Sequence, residues 1–159
     1  MPEIDHKLRI RVAEFLADYS HTIDDDNLEN WPNFFLDDAV YQITTRENEE
    51  SGLPIGIMYC EGRGMLEDRI RALRTANIFE PHTYCHLLGV SSFENITGNL
   101  LAVRTNFSVV RTKQDGTSDI FAVGKYVDEI IFTTDDLKFY SRRVILESRR
   151  IDILLVIPL

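Results

Sequence analysis

An α+β fold, with a strongly curved antiparallel sheet wrapped around N-terminal helices, is what this sequence predicts, and three observations predict it. Apolar residues recur at helical spacing in the first 25 residues and again near residue 65. Everything after Pro81 changes to alternation in long strand-like runs. Turn chemistry separates those runs, so helices come first and strands follow, the segregated order of an α+β chain. With 159 residues, 44% hydrophobic and 27% charged, the chain is expected to form a single domain over 1–159.

The first element is a helix, because Leu8, Val12, Phe15, Leu16, Tyr19 and Ile23 trace one buried face. Arg9, Arg11, Glu14 and Asp18 form its solvated side. The run Asp24-Asp25-Asp26-Asn27 offers N-caps for a second, shorter helix through Leu28, Trp31, Phe34 and Phe35, limited by Pro32. Asp37 and Asp38 then end that helix. Val40, Tyr41, Ile43 and Thr44 favour a strand between Ala39 and Thr45, and Glu47 to Gly52 reads as a loop. Gly62-Arg63-Gly64 positions a third helix carrying Met65, Leu66, Ile70 and Leu73, with Glu67 and Arg71 spaced to pair on its outer face. Four strands complete the chain as an antiparallel meander: Thr83 to Phe93, Leu100 to Thr112, Asp119 to Phe132 and Leu137 to Ser148. Turns are expected at Asn95 to Asn99, at Gln114-Asp115-Gly116-Thr117 and at Thr134-Asp135-Asp136. The interior of such a cone is either a pocket or a filled core.

Charge narrows the function. A formal net charge of -9 and a pI near 4.9 argue against nucleic acid and anionic membrane as partners, since both require clustered Lys and Arg. No apolar run reaches the roughly 20 residues of a membrane span, and the charged N-terminal segment lacks a signal core, so a cytoplasmic protein is expected. Cys60 and Cys85 are too few for a disulfide framework and read as small, partly buried thiols.

His82-Thr83-Tyr84-Cys85-His86, with Cys60 upstream, is dense in metal-ligand residue types. On a strand, however, the two histidines share a face about 13 Å apart at ~3.3 Å per residue, too far for one ion, and Cys85 points to the other face. The Cys-x-His and Cys-x-x-His pairs of a Rieske centre do not occur. His6 and His21 lie on the first helix among solvent-facing charges, so no two-histidine-one-carboxylate iron site converges either. Gly62-Arg63-Gly64 lacks the third glycine of a dinucleotide fingerprint. An acid-base set drawn from Asp37, Asp38, Tyr41, Tyr84 and His86 is the subtler alternative, set against ordinary burial of the rings with their polar tips bonded to neighbours.

The last segment is unusual for a terminus. Arg142, Arg143, Arg149 and Arg150, expected on the surface as anchors of an oligomer interface, precede the almost wholly apolar Ile151 to Leu159. Leaving such side chains in water forfeits roughly 1.5 to 3 kcal/mol for each large one that could be buried, so the tail packs either on its own sheet or on another subunit.

Several segments together resemble the small (beta) subunit of aromatic-ring-hydroxylating dioxygenases. They are the first helix ending in Tyr19, Trp31-Pro32-x-Phe34-Phe35-x-x-Asp38-Ala39-x-Tyr41, Arg46-Glu47-Asn48, and Gly56-Ile57-Met58-Tyr59. To these add Met65-Leu66-x-Asp68-Arg69-Ile70, Glu80-Pro81-His82-x-Tyr84-x-His86 and the Pro158-Leu159 end. The likeness covers nearly the whole chain and is nearest the systems for aromatic carboxylates such as anthranilate, salicylate, halobenzoate or terephthalate. It implies a cone of the nuclear-transport-factor-2-like class and a non-catalytic structural subunit working in aromatic compound degradation. The expected partner is a large (alpha) subunit, in an assembly of three large and three small chains with the small chains self-associated as a trimer. The large subunit would carry the Rieske [2Fe-2S] cluster and the mononuclear Fe(II), with NADH reducing equivalents arriving through a separate reductase. No catalytic, cofactor-binding or metal-binding residue is then assigned in this chain. The alternatives are a free-standing cone-fold acid-base enzyme of the isomerase, dehydratase or cyclase type, and a small-ligand binding module.

Overall fold

The computed structural model describes residues 4–52, 56–75, 82–147 and 157–159. Helix α1 (His6–Asp24) begins where the Asp5 carboxylate accepts from the backbone N–H of Lys7, and buries Leu8, Val12, Leu16, Tyr19, Ser20 and Ile23. Asp24 is its last residue and does not cap a second helix. The following 3-10 helix (Leu28–Phe34) is tighter and shorter than the helix expected there, because Pro32 supplies no N–H and Phe35 is already extended. Strand β1 (Phe35–Thr45) therefore starts four residues before Ala39, and places Asp37 and Asp38 on an exposed stretch of strand.

Where a loop was expected, Arg46–Glu50 forms a short helix, α2. The N–H of Asn48 donates to Thr45 Oγ1 to start it. Strand β2 (Met58–Glu61) was not foreseen, being only four residues long. Helix α3 (Arg63–Thr75) buries Leu66, Ile70 and Leu73, but its ion pairs shift: Glu67 joins Arg63 at 2.6 Å and Arg71 joins Asp68 at 2.7 Å.

The remaining strands are β3 (His82–Leu88), β4 (Ser92–Thr97), β5 (Leu100–Lys113), β6 (Ser118–Phe132) and β7 (Leu137–Leu146). The run expected over Thr83 to Phe93 is thus two strands. Both pair with β5, β3 along Phe107 to Lys113 and β4 along Leu100 to Arg104, and the N–H of Gly89 donates to the Asn106 carbonyl at the gap between them. The sheet order is β2-β1-β7-β6-β5-β3 with β4 also on β5. One departure from a simple meander matters. β1 runs parallel to β7, because the first strand reaches its place beside the last only through a crossover containing α3 and the later strands.

The curved sheet closes around α1 and the 3-10 helix as a nuclear-transport-factor-2-like cone. Its bends are marked by register shifts within β1, β4, β5–β6 and β6–β7. Gly124 serves one close approach: a Cβ there would sit 2.3 Å from the Ile145 carbonyl oxygen, so β6 and β7 meet only because the side chain is absent. Among the described residues no helix is long and apolar enough to cross a membrane.

Candidate functional site

Every sequence-level candidate with chemistry to offer faces either the inside of the cone or open solvent, and the strand phase decides which. In β3 the burial alternates, so His82, Tyr84 and His86 point inward while Thr83 and Cys85 point out. This is the geometry expected for two histidines four strand residues apart. Cys60 is buried on β2, at the opposite edge of the sheet, and burial pushes its thiol up. His6 and His21 are exposed on α1. No grouping of three metal-ligand side chains occurs among the described residues. The donors present do not fit an iron or iron–sulfur centre, since His86 spends Nδ1 on a carboxylate, Cys85 faces out and Cys60 lies on the strand at the opposite edge of the sheet.

That carboxylate is Asp24. Its Oδ1 lies 2.6 Å from His86 Nδ1, while Oδ2 accepts from the His86 backbone N–H at 2.9 Å. The histidine side chain is fully buried and its Nε2 has no hydrogen-bond partner. A carboxylate that orients an imidazole is half of an acid-base device. The rest of the anticipated set does not join it: Asp37 and Asp38 are exposed on β1, and Tyr84 stacks against Phe121 with ring centroids 5.0 Å apart. Asp24 stands in the aspartate run that predicts a helix cap, and caps nothing. The signal that could have found it is its position one turn after Ser20, on the buried face of α1.

Tyr41 belongs to a different cluster. Trp31 Nε1 donates to the Tyr19 hydroxyl at 3.0 Å, and both Tyr19 and Tyr41 hydroxyls donate to the main-chain oxygen of Leu159 at 2.8 Å. The Leu159 N–H donates back to the Tyr41 hydroxyl at 2.9 Å. Leu159 is fully buried. Burial raises the Tyr19 phenol to about 12 and the Tyr41 phenol well above its ordinary value, so both remain hydrogen-bond donors. For residues 157–159 the choice between own-core and interface packing is therefore settled in favour of the core. Arg149, Arg150 and residues 151–156 lie outside the described residues.

Arg142 departs furthest from expectation. Far from lying on the surface, it is among the largest fully buried side chains, with Nε 3.3 Å from Asp128 Oδ1. The guanidinium carbon sits 3.4 Å from the Tyr126 ring centroid, 4.2 Å from that of Tyr19 and 4.6 Å from that of Phe139. Burial pushes the Asp128 carboxyl up to about 7 while the Arg142 charge pulls it back. Arg143, one position on, faces outward and pairs with Glu49. The interior is therefore occupied by aromatic rings, a caged ion pair and the Leu159 end.

Comparison with known proteins gives a consistent result. The family model described as the ring hydroxylating beta subunit matches residues 20–153. The anthranilate 1,2-dioxygenase small subunit of Burkholderia cepacia is 38% identical over 141 residues, 89% of this chain and 88% of that one. A terephthalate 1,2-dioxygenase terminal oxygenase component subunit (beta 2) of Comamonas sp is 40% identical over 152 residues, covering 94% and 97%. Among solved structures, the beta subunit assigned to an aromatic-ring-hydroxylating dioxygenase of Novosphingobium aromaticivorans superposes with a TM-score of 0.91 at 37% identity, over 99% of this chain and 100% of that one.

Proposed function

This chain belongs to the ring hydroxylating beta subunit family, and on that footing we propose that it acts as one domain, the non-catalytic structural small subunit of an aromatic-ring-hydroxylating dioxygenase. The observation that carries the proposal is how the family-like polar residues are used. Tyr19, Trp31 and Tyr41 close on Leu159, so the phenols a cone enzyme would turn toward a substrate are committed to packing, and Asp24 holds His86 with its side chain fully buried. No residue of this chain is assigned a catalytic, cofactor-binding or metal-binding role.

The partner is a large oxygenase subunit, with the small chains self-associated as a trimer in a three-plus-three assembly in the cytoplasm. The Rieske cluster and the mononuclear iron belong to that partner. Likeness to the anthranilate and terephthalate subunits supports an aromatic carboxylate as substrate of the whole complex.

His86→Ala tests the division of labour. It leaves the Asp24 carboxylate without its imidazole, so the expected result is a loss of stability of about 1–3 kcal/mol with turnover per iron in the reconstituted oxygenase unchanged. A collapse of kcat in a complex of unchanged mass, melting temperature and KM would instead make His86 a catalytic group and favour the acid-base reading.

A further inference from the structure

Where α1 passes the gap between β3 and β4, the surface opens into a groove of about 360 Å3. Ala13, Leu16 and Ala17 form its helix wall, and Leu88 and Phe93 its sheet wall. The two alanines leave the room, since a longer side chain at either position would occupy it. The connection between β3 and β4 is held in place: the Gly89 N–H donates to the Asn106 carbonyl at 2.8 Å, and the Ser91 and Thr105 hydroxyls lie 2.7 Å apart. Val90, 99% exposed, stands at the edge. The groove is therefore largely apolar, fixed in shape and open to solvent.

One cation lines it. The Arg9 guanidinium carbon sits 4.7 Å from the centroid of the Phe93 ring. On a chain with 26 acidic against 17 basic residues, Arg9 has no carboxylate partner and no hydrogen-bond acceptor among the described residues. A second donor is in reserve. Thr105 is 1% exposed, so its hydroxyl finds its partner in Ser91; when Thr105 donates, the Ser91 hydrogen is left for an occupant of the groove.

An apolar groove with one unmatched cation selects an apolar body carrying a negative charge. The planar fork of an arginine takes a carboxylate in two parallel hydrogen bonds, and the ring beside it offers an aromatic contact for a second ring. The volume lies at the low end of the roughly 300–1,000 Å3 of small-molecule pockets, enough for a single-ring compound.

We propose that this groove binds a small aromatic carboxylate, with the carboxylate on Arg9 and the Ser91 hydroxyl and the ring against Phe93 and the two alanines. Recognition of an apolar anion follows from these residues alone. That the ligand is of the class on which the assembled oxygenase acts rests on the subunit reading, which the site deepens by giving the small chain its own contact with substrate or product.

The test is isothermal titration calorimetry of the full chain, prepared without its large subunit so that the oxygenase's own pocket contributes nothing, with benzoate, benzamide and acetate as probes. Benzoate should bind as one equivalent, at least about 10-fold more tightly than benzamide, which lacks the charge, or acetate, which lacks the ring. Arg9→Gln should weaken benzoate binding at least about 10-fold, and Ala17→Leu, which fills the groove, should abolish it. Arg9 is exposed and Ala17 half-buried, so both variants should melt as wild type does. Arg71→Gln, which removes an exposed arginine on α3, should bind benzoate normally. Amide shifts on adding benzoate should centre on Ala13, Ala17, Gly89 and Ser91. If Ala17→Leu disturbs α1, Arg9→Gln and the shift map decide without it.

No saturable binding of benzoate, benzamide bound as tightly, or variants that bind as wild type does would overturn the proposal. So would an Arg9→Gln chain that keeps benzoate but loses the large subunit, since the groove would then hold a segment of that partner. A chain that binds benzoate here yet ignores the large subunit keeps the site and counts against the subunit reading, and one that assembles but binds no benzoate does the reverse.

Discussion

Arg142→Ala is expected to destabilise the chain by about 3–5 kcal/mol, the usual cost of removing one partner of a buried ion pair. The substitution deletes one of the largest fully buried side chains, removes the cation held between the Tyr126, Tyr19 and Phe139 rings, and leaves Asp128 alone in the core. The loss should depend on pH, and its sign follows from the carboxyl. Burial already pushes the Asp128 carboxyl from an ordinary 3.8 up to about 7, and the Arg142 charge holds it down. Without Arg142 it titrates higher still in the folded protein. A raised folded-state value means that stability is fully present below the unfolded value and is lost as pH rises through the folded one. Denaturant titrations should therefore find the variant less stable at pH 8 than at pH 5. Replacing both partners, as Arg142→Met with Asp128→Leu, should recover most of the loss, because the desolvation cost of both charges disappears with them. A double variant no better than the single one would show that the rings need the cation rather than the cation needing the carboxylate.

Removing Ile157 to Leu159 is the second large effect expected, about 4 kcal/mol or more from lost leucine burial and unpaired polar groups together. Leu159 is fully buried, and its main chain receives two tyrosine hydroxyls and gives one N–H in return. Deletion takes the Leu159 oxygen away from the Tyr41 hydroxyl and from the Tyr19 hydroxyl, which keeps the Trp31 N–H, in a core from which water is excluded. For a chain of this size the melting temperature should fall by about 10 °C. Leu159→Ala keeps the main-chain bonds and should show only the side-chain part, about 2–3 kcal/mol. Thermal melts of the two variants side by side separate packing from hydrogen bonding, and equal shifts would mean that the hydroxyl pair contributes nothing.

How far the sequence was legible follows from the kind of information each feature needs. Periods of 3.6 and 2 are local, so α1, α3 and β5 to β7 were readable to within a few residues. β2 and the break between β3 and β4 were not, because they depend on which neighbour a strand pairs with. The strand spacing of His82 and His86 was enough to place both inside and apart. Finding Asp24 beside His86 required knowing that the end of α1 packs against β3, a contact 62 residues away in the chain.

Arg142 shows the opposite case. The alternation of Tyr126, Asp128 and Ile130 on β6, and of Arg142, Val144 and Leu146 on β7, put both charges on the buried phase. The signal was present in the strand pattern. It was overridden by the prior that arginine beside arginine at the end of a chain lies on a surface, and the register shift in β7 hid the phase further. The Leu159 lock could be anticipated only in part: an apolar end must be covered, but nothing in the sequence says that two tyrosines wait for its main chain.

The claim at the centre of this account is that the chain's function is to be a structural subunit, and the direct measurement is native mass spectrometry with metal analysis on the chain expressed alone and together with its large subunit. The account predicts a metal-free small chain that enters a complex of three large and three small subunits, with all iron accounted for by the large one. A chain that stays apart from the large subunit, or that carries a stoichiometric metal ion of its own, would contradict it.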